Sequence, residues 1–342
     1  MIIVVRNFPG FSESTEKIRA LTNILTCCGE GKHVLWMPSD KAEELIQSGE
    51  FINYPLRVLH HIKGQSRFTK SLTERLRPYL EIDFESPNTF EHTGEGRMVI
   101  GYQRVMDTEA LQSCKFLVEN LSDSDFYKLG ANSLLHRERL SSEYSIKLRS
   151  ENGGGNTTFT VFERLIAAQE LVLCILDSDK KHPNGPLGDT ASRFNQVGKG
   201  YGSGYQLEIL TCTEAENLVP FSVAKEIIAR NKPDCLDSFE RVTPEFREYA
   251  DHKTGLSQET ALRLDETHGV NHWGHLISSR PPRNGEICPS LGERFLNHSI
   301  EHMQLLSIAK LCESIDPILD AKLLKISNHV ASWGIGLKNS IR

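Results

Sequence analysis

Two short apolar runs, each ending in acid, constrain the fold of this 342-residue chain more than any other feature. Lys115-Phe116-Leu117-Val118 leads into Glu119, with Asp123 shortly after, and Leu171-Val172-Leu173-Cys174-Ile175-Leu176 leads into Asp177 and Asp179. Apolar runs of this length bounded by polar residues read as strands buried on both faces, as in a parallel sheet covered by helices. Such sheets place ligands at the carboxyl ends of their strands. Four carboxylates at one sheet edge repel each other unless cations sit among them, so the pattern predicts a divalent metal site.

Length and composition set the outer bounds. A chain of this size divides into two or three domains and can bury at least one substantial core. A net charge of -6, from 39 basic and 45 acidic residues, argues against a protein that coats nucleic acid nonspecifically. It leaves a nuclease open, because metal-binding carboxylates enter the sum while their ions do not. The eight cysteines include no C-x-x-C pair and several lie in or beside apolar runs, the usage of a reducing compartment. The apolar start at Met1 to Val5 is broken by Arg6 and is too short for a signal sequence or membrane span. The expectation is a soluble cytoplasmic protein with no membrane partner.

Residues 1–110 alternate strand-like and helix-like pieces: strands at 2–5, 33–37 and 56–60, and helices at 15–26 and 40–47, the second with Asp40 as its cap. This predicts a small N-terminal α/β unit. Gly10-Phe11-Ser12-Glu13-Ser14 lacks the lysine and glycine spacing that cradles phosphates. From 111 to 225 the pattern becomes a β/α series, with helices near 125–135 and 158–169 and further strands at 144–148 and 206–210. A glycine cluster, Gly153-Gly154-Gly155, reads either as a close backbone approach to phosphate or as a plain turn. Residues 226–342 read as mainly helical, especially 299–314 and 321–333, with a polar, proline-bearing stretch at 276–290.

The last strand of the middle segment is followed by Glu214 and Glu216, so six acids follow three separate strands. Each alone could be a solvated turn residue or a helix cap. Asp177-Ser178-Asp179 can hold magnesium through oxygen while leaving water positions for a phosphate. A calcium loop is excluded by Gly188, which stands at loop position twelve where an EF-hand needs glutamate.

The arrangement Val118-Glu119-Asn120-Leu121-Ser122-Asp123, the glycine cluster, Leu176-Asp177-Ser178-Asp179 and Glu214-Ala215-Glu216-Asn217 resembles a Toprim domain. Within that superfamily it is most similar to the overcoming-lysogenization-defect (OLD) nucleases and their relatives in phage defence, over roughly residues 111–255. The resemblance implies a Toprim-like parallel sheet flanked by helices, with Glu119 as metal ligand or general acid/base. It makes Asp123, Asp177, Asp179, Glu214 and Glu216 further ligands for Mg²⁺ or Mn²⁺, as two ions, and Lys253 a catalytic lysine beyond the Toprim core. The chain departs from the family in carrying Asn120 where glycine is usual, a residue that tolerates a left-handed turn, and in showing no ATPase motif.

Basic residues at Arg137, Arg139, Lys147 and Arg149 could track a nucleic-acid backbone, as could Lys63, Arg67, Lys70, Arg75 and Arg77, although solvated helix faces look the same in sequence. His268, His272 and His275, with Asp265 and Glu266, read as a polar loop or cap rather than a zinc site, and His60-His61 as structural or surface residues. The expected function is a metal-dependent endonuclease acting on DNA or RNA, as effector of a bacterial defence system and regulated by a separate ATPase subunit. The oligomeric state stays open, a homo-oligomer included. The alternative is a noncatalytic regulatory or assembly subunit that binds metal or nucleic acid through the same fold.

Overall fold

The computed structural model describes residues 1–6, 14–94, 96–282 and 285–342, so the stretch at 10–13 discussed above lies outside the described residues. The chain is α/β, with two five-stranded, mainly parallel sheets flanked by helices.

The N-terminal sheet is built from β1 (Ile2–Arg6), β2 (Val34–Trp36), β3 (Tyr79–Asp83), β4 (Phe90–Thr93) and β5 (Arg97–Gly101), in the order β2-β1-β3-β5-β4. All neighbours are parallel except β4, which pairs antiparallel at the edge. Helices α1 (Thr15–Gly29), α2 (Ser39–Gln47) and α3 (Asn53–Arg75) make the crossovers. Residues 56–60 belong to α3 and are not a strand. The apolar run there is one turn of a longer stripe, Val58, Leu59, Ile62, Ser66, Thr69 and Leu72, whose three-and-four spacing buries a helix face. Asp40 does not cap α2 either: it lies inside the first turn, where a carboxylate still favours the positive end of the helix dipole.

The middle sheet runs β10-β11-β9-β6-β8. Its members are β6 (Lys115–Val118), β8 (Arg149–Asn152), β9 (Val172–Leu176), β10 (Gly200–Gly202) and β11 (Tyr205–Ile209). β11, β9, β6 and β8 are all parallel, and β10 closes one edge as an antiparallel hairpin. Helix α4 (Leu121–Arg137) follows β6, α5 (Thr158–Ala167) precedes β9, and a single turn, α6 (Asp189–Ser192), lies between β9 and β10. The expected strand at 144–148 is shorter, β7 (Tyr144–Ile146), and leaves this sheet to pair with the chain's last strand. Polar β8 takes its place beside β6.

The remainder is mainly helical: α7 (Phe221–Asn231), α8 (Leu236–Arg241), α9 (Pro244–Arg247), α10 (Gln258–His268), α11 (Trp273–Ser279), α12 (Phe295–Leu305), α13 (Ile308–Ser314) and α14 (Ala321–Gly334). Short strands β12 (Leu256–Ser257) and β13 (Glu286–Cys288) pair with each other, and β14 (Ile335–Leu337) pairs with β7. Among the described residues no helix is long and apolar enough to cross a membrane.

Helix α14 packs along α4, and the two approach closely at Gly130, where an added Cβ would stand 2.5 Å from Ser327 Oγ. Gly130→Leu is therefore expected to push the helices apart and to destabilise the protein by about 1–3 kcal/mol, read from the urea midpoint. An unchanged midpoint would contradict this packing.

Candidate active site

Three strand ends and one loop meet at the carboxyl edge of the middle sheet. Glu119 directly follows β6. Asn120, extended at φ -130°, caps α4 in a reciprocal box in which its own amide donates to Asp123 Oδ2 at 3.0 Å. The expected left-handed turn at Asn120 is thus absent, because an ordinary N-cap conformation makes the turn and glycine is not needed. Asp123 is only 7% exposed, and one of its oxygens already serves as a helix cap.

Asp177 follows β9, and its Oδ1 accepts from the Ala215 amide at 3.1 Å. The amides of Ser178 and Asp179 both donate to Thr213 O, at 3.0 and 2.9 Å, tying the Asp-Ser-Asp turn to the loop that leads to Glu214. Asp179 sits at φ 55°, a left-handed conformation that aspartate tolerates better than most residues. Gly188 packs against it so tightly that an added Cβ would lie 1.9 Å from Asp179 Oδ2.

Glu214 opens a 3₁₀ turn, Ala215–Leu218, in a second capping box with Asn217. The Asn217 side-chain amide donates to Arg247 O and Ala250 O, both at 2.8 Å, which draws the segment beyond α9 over the site. That segment delivers Lys253. Its Nζ lies 2.9 Å from Glu214 Oε2 and 3.2 Å from Glu216 Oε1, so the lysine expected beyond the core does reach the acids.

No family model, curated protein or solved structure matches this chain. The chemistry is therefore argued from these residues and their surroundings.

Electrostatically the acids form one group. Burial, then the charge of Asp179, pushes Glu119 from an ordinary 4.5 up to about 7, with Thr190 pulling the other way by hydrogen bonding. Burial raises Asp123 from 3.8 to about 6 and Glu216 from 4.5 to about 7, against the opposing pull of Lys253. Asp177 is raised well above the ordinary carboxylate range, by burial and then by Asp123, Glu119, Glu216 and Glu214. Asp179 is raised by burial and Glu214. Burial alone would lower Lys253, but Glu216 and Glu214 override it, and the ammonium is held more firmly charged than usual.

These shifts have a sign that can be measured. A carboxyl raised in the folded state gives stability that is full below its unfolded value and is lost as pH rises through its folded value. For Glu119, Asp123 and Glu216 that window runs from about 4 to about 7. The metal-free protein should melt several degrees higher near pH 5.5 than at pH 8 by scanning calorimetry. A melting temperature that rises with pH across this window would contradict the cluster.

Other candidates lie elsewhere. Arg149 pairs in register with Lys115, at the amino end of the sheet and away from the acids. Arg137, the last residue of α4, donates to Ile315 O at 2.8 Å and to Cys312 O at 3.2 Å at the end of α13, while Lys147 Nζ reaches Lys338 O. Arg139 lines a cleft there with His136 and Ser141. Arg137 and Arg139 do not join the acid cluster, because α4 carries the chain about 25 Å away from it, and Arg149 stands at the opposite end of β8 from the acid edge. In the glycine cluster, the Gly153 and Gly154 amides donate to Val118 O and Glu119 O, which is a turn that braces Glu119. Asp265 accepts from the amides of His272, Trp273 and Gly274 and caps α11, and the His182 ring stacks on His268.

Sequence reasoning missed two neighbours. Thr190, on α6, reaches Glu119, and Lys181 pairs with Asp251 at 2.9 Å, bracing the turn that presents Lys253. No local motif marks either one.

Proposed function

We propose that the chain is a metal-dependent nuclease that cleaves DNA or RNA phosphodiesters, a Toprim-type endonuclease serving as effector in a bacterial defence against phage. The observation that supports this most is the meeting of six carboxylates from three strand ends with one lysine. Only Asp123 and Glu216 are buried outright, but so much like charge gathered at one partly buried edge still destabilises a fold, and functional sites are where such arrangements are kept.

The residues fit a divalent cation. Among the described residues Glu119 Oε1 is buried without a hydrogen-bond partner, and Asp177 is held among four other acids. Among the described residues, no three acid, histidine or cysteine side chains already present donors in an ion-holding arrangement, so ligand rotation would accompany binding. Glu119, Asp177 and Asp179 would hold Mg²⁺ or Mn²⁺, with Asp123, Glu214 and Glu216 available to a second ion. Such ions, when bound, supply Lewis-acid polarisation of a phosphodiester and a water of lowered pKa. In the metal-free protein Glu119 is raised to about 7 by burial and by Asp179, so binding an ion releases its proton and leaves a carboxylate able to act as ligand or as general base. Lys253 stands ready to meet negative charge developing on the phosphate. The resemblance to OLD nucleases supports an ATPase as the regulator of this activity.

The test is to incubate the purified chain with supercoiled plasmid, single-stranded DNA and tRNA in Mg²⁺ or Mn²⁺, beside Glu119→Ala and Asp177→Ala. Ion-dependent cleavage by the wild type, reduced about 100-fold or more in both variants, is the expected result. Equal cleavage by all three proteins would remove the assigned site. No cleavage under any condition would favour the regulatory reading. In the same assay Gly188→Ala should lose about tenfold or more, since its methyl group displaces Asp179, while the melting temperature stays within a few degrees. Full activity in that variant would release Asp179 from its role.

A further inference from the structure

On the far side of the segment that Asn217 holds lies a cavity of about 230 Å³. Phe221, Val242, Thr243, Pro244, Arg247 and Leu319 line it. Its walls are mostly apolar in area, and Arg247 is the charged group buried most deeply in them. Arg247 is only 5% exposed, and its Nη1 is buried with no hydrogen-bond acceptor among the described residues. The nearest carboxylate, Asp320 Oδ1, is 3.9 Å from Nη2, too far for a hydrogen bond, and its own oxygens accept from the amides of Phe221 and Asp316. The guanidinium instead lies over the rings of Phe221 and Phe239, 4.9 and 5.6 Å from their centroids. Glu240 also lines the cavity, and Lys225 neutralises it in an ion pair. Arg280 adds a second cation to the lining, donating to Arg241 O at 2.9 Å.

A buried guanidinium with an unsatisfied N–H is unusual, because an unmade hydrogen bond to a charged group is expensive in a water-poor site. We infer that this cavity binds a small organic anion, a carboxylate or phosphate monoester carried on a flat apolar body. Nη1 itself has almost no accessible surface, so an anion in the cavity meets the part of Arg247 that lines it, and a guanidinium edge matches either anion. Phe221, Leu319 and Pro244 offer faces for a ring. The volume lies below the roughly 300–1,000 Å³ of drug-sized sites, so the body is one ring or two. This site stands apart from the acid cluster and holds whether or not the chain cuts nucleic acid.

The test is calorimetric titration of the full chain with benzoate, phenyl phosphate and inorganic phosphate. One of the two aromatic anions should bind saturably at one site, and inorganic phosphate should bind at least about tenfold more weakly because it lacks the ring. Tighter benzoate assigns a carboxylate, and tighter phenyl phosphate assigns a phosphate ester. Arg247→Lys should weaken the preferred ligand about tenfold or more. Leu319→Trp, at a half-exposed position that tolerates change, should fill the cavity and abolish binding while the urea midpoint holds. The proposal is overturned if neither aromatic anion binds the wild type, if inorganic phosphate binds as tightly as they do, or if Leu319→Trp binds as the wild type does.

Discussion

Asp177→Asn is expected to raise the melting temperature of the metal-free protein by about 3 °C or more while reducing cleavage about 100-fold or more. Asp177 is partly buried at a strand end, where burial and then Asp123, Glu119, Glu216 and Glu214 all raise its pKa. Its contribution to the fold is a hydrogen bond from the Ala215 amide, and the asparagine Oδ1 can accept that bond as well. Replacing the acid therefore removes repulsion and desolvation without removing a contact. The same change removes a charged oxygen ligand, which a neutral amide replaces poorly for a hard cation. Added Mg²⁺ should stabilise the wild type clearly more than the variant. A variant that is both less stable and fully active would reverse the assignment.

The second large effect concerns the lysine. Lys253→Met is expected to destabilise the protein by about 2–4 kcal/mol and to reduce cleavage about 100-fold. Lys253 contacts both Glu214 and Glu216, and Glu216 is only 5% exposed. Methionine keeps the stem packing but leaves two carboxylates facing each other with no cation between them. Because the lost charge is a cation among acids, Mg²⁺ should restore more stability to this variant than it gives the wild type, by chemical denaturation at pH 7.5. Equal Mg²⁺ responses would mean that the lysine and the ions do not share the same carboxylates.

The site was more legible in the sequence than its surroundings were. Apolar strands ending in acid are a local pattern, and once the middle strands are parallel their carboxyl ends must lie together, so Glu119 and Asp177 follow from the sequence. Lys253 was legible only through the family likeness. Its arrival depends on the hydrogen bonds of Asn217 to Arg247 O and Ala250 O, which no periodicity encodes. Tertiary context also decided the misread pieces. At 56–60 the apolar run fits a strand until the stripe is followed to Leu72. β8 is polar because it is an edge strand, and its pairing with β6 left no apolar signal. The basic residues from Arg137 to Arg149 lie between the two acid-ended strands in sequence, but Arg137 stands at the far end of α4 and Arg149 at the amino end of the sheet.

The most direct measurement of the central claim, that these acids are gathered to hold a divalent cation, is calorimetric titration of the purified chain with Mn²⁺ at pH 7.5. The account predicts saturable binding that releases protons, since Glu119 and Glu216 are partly protonated near 7. It also predicts that Asp177→Ala and Glu119→Ala lose most of this binding. Wild-type protein that takes up no Mn²⁺, or variants that bind it equally well, would contradict the account.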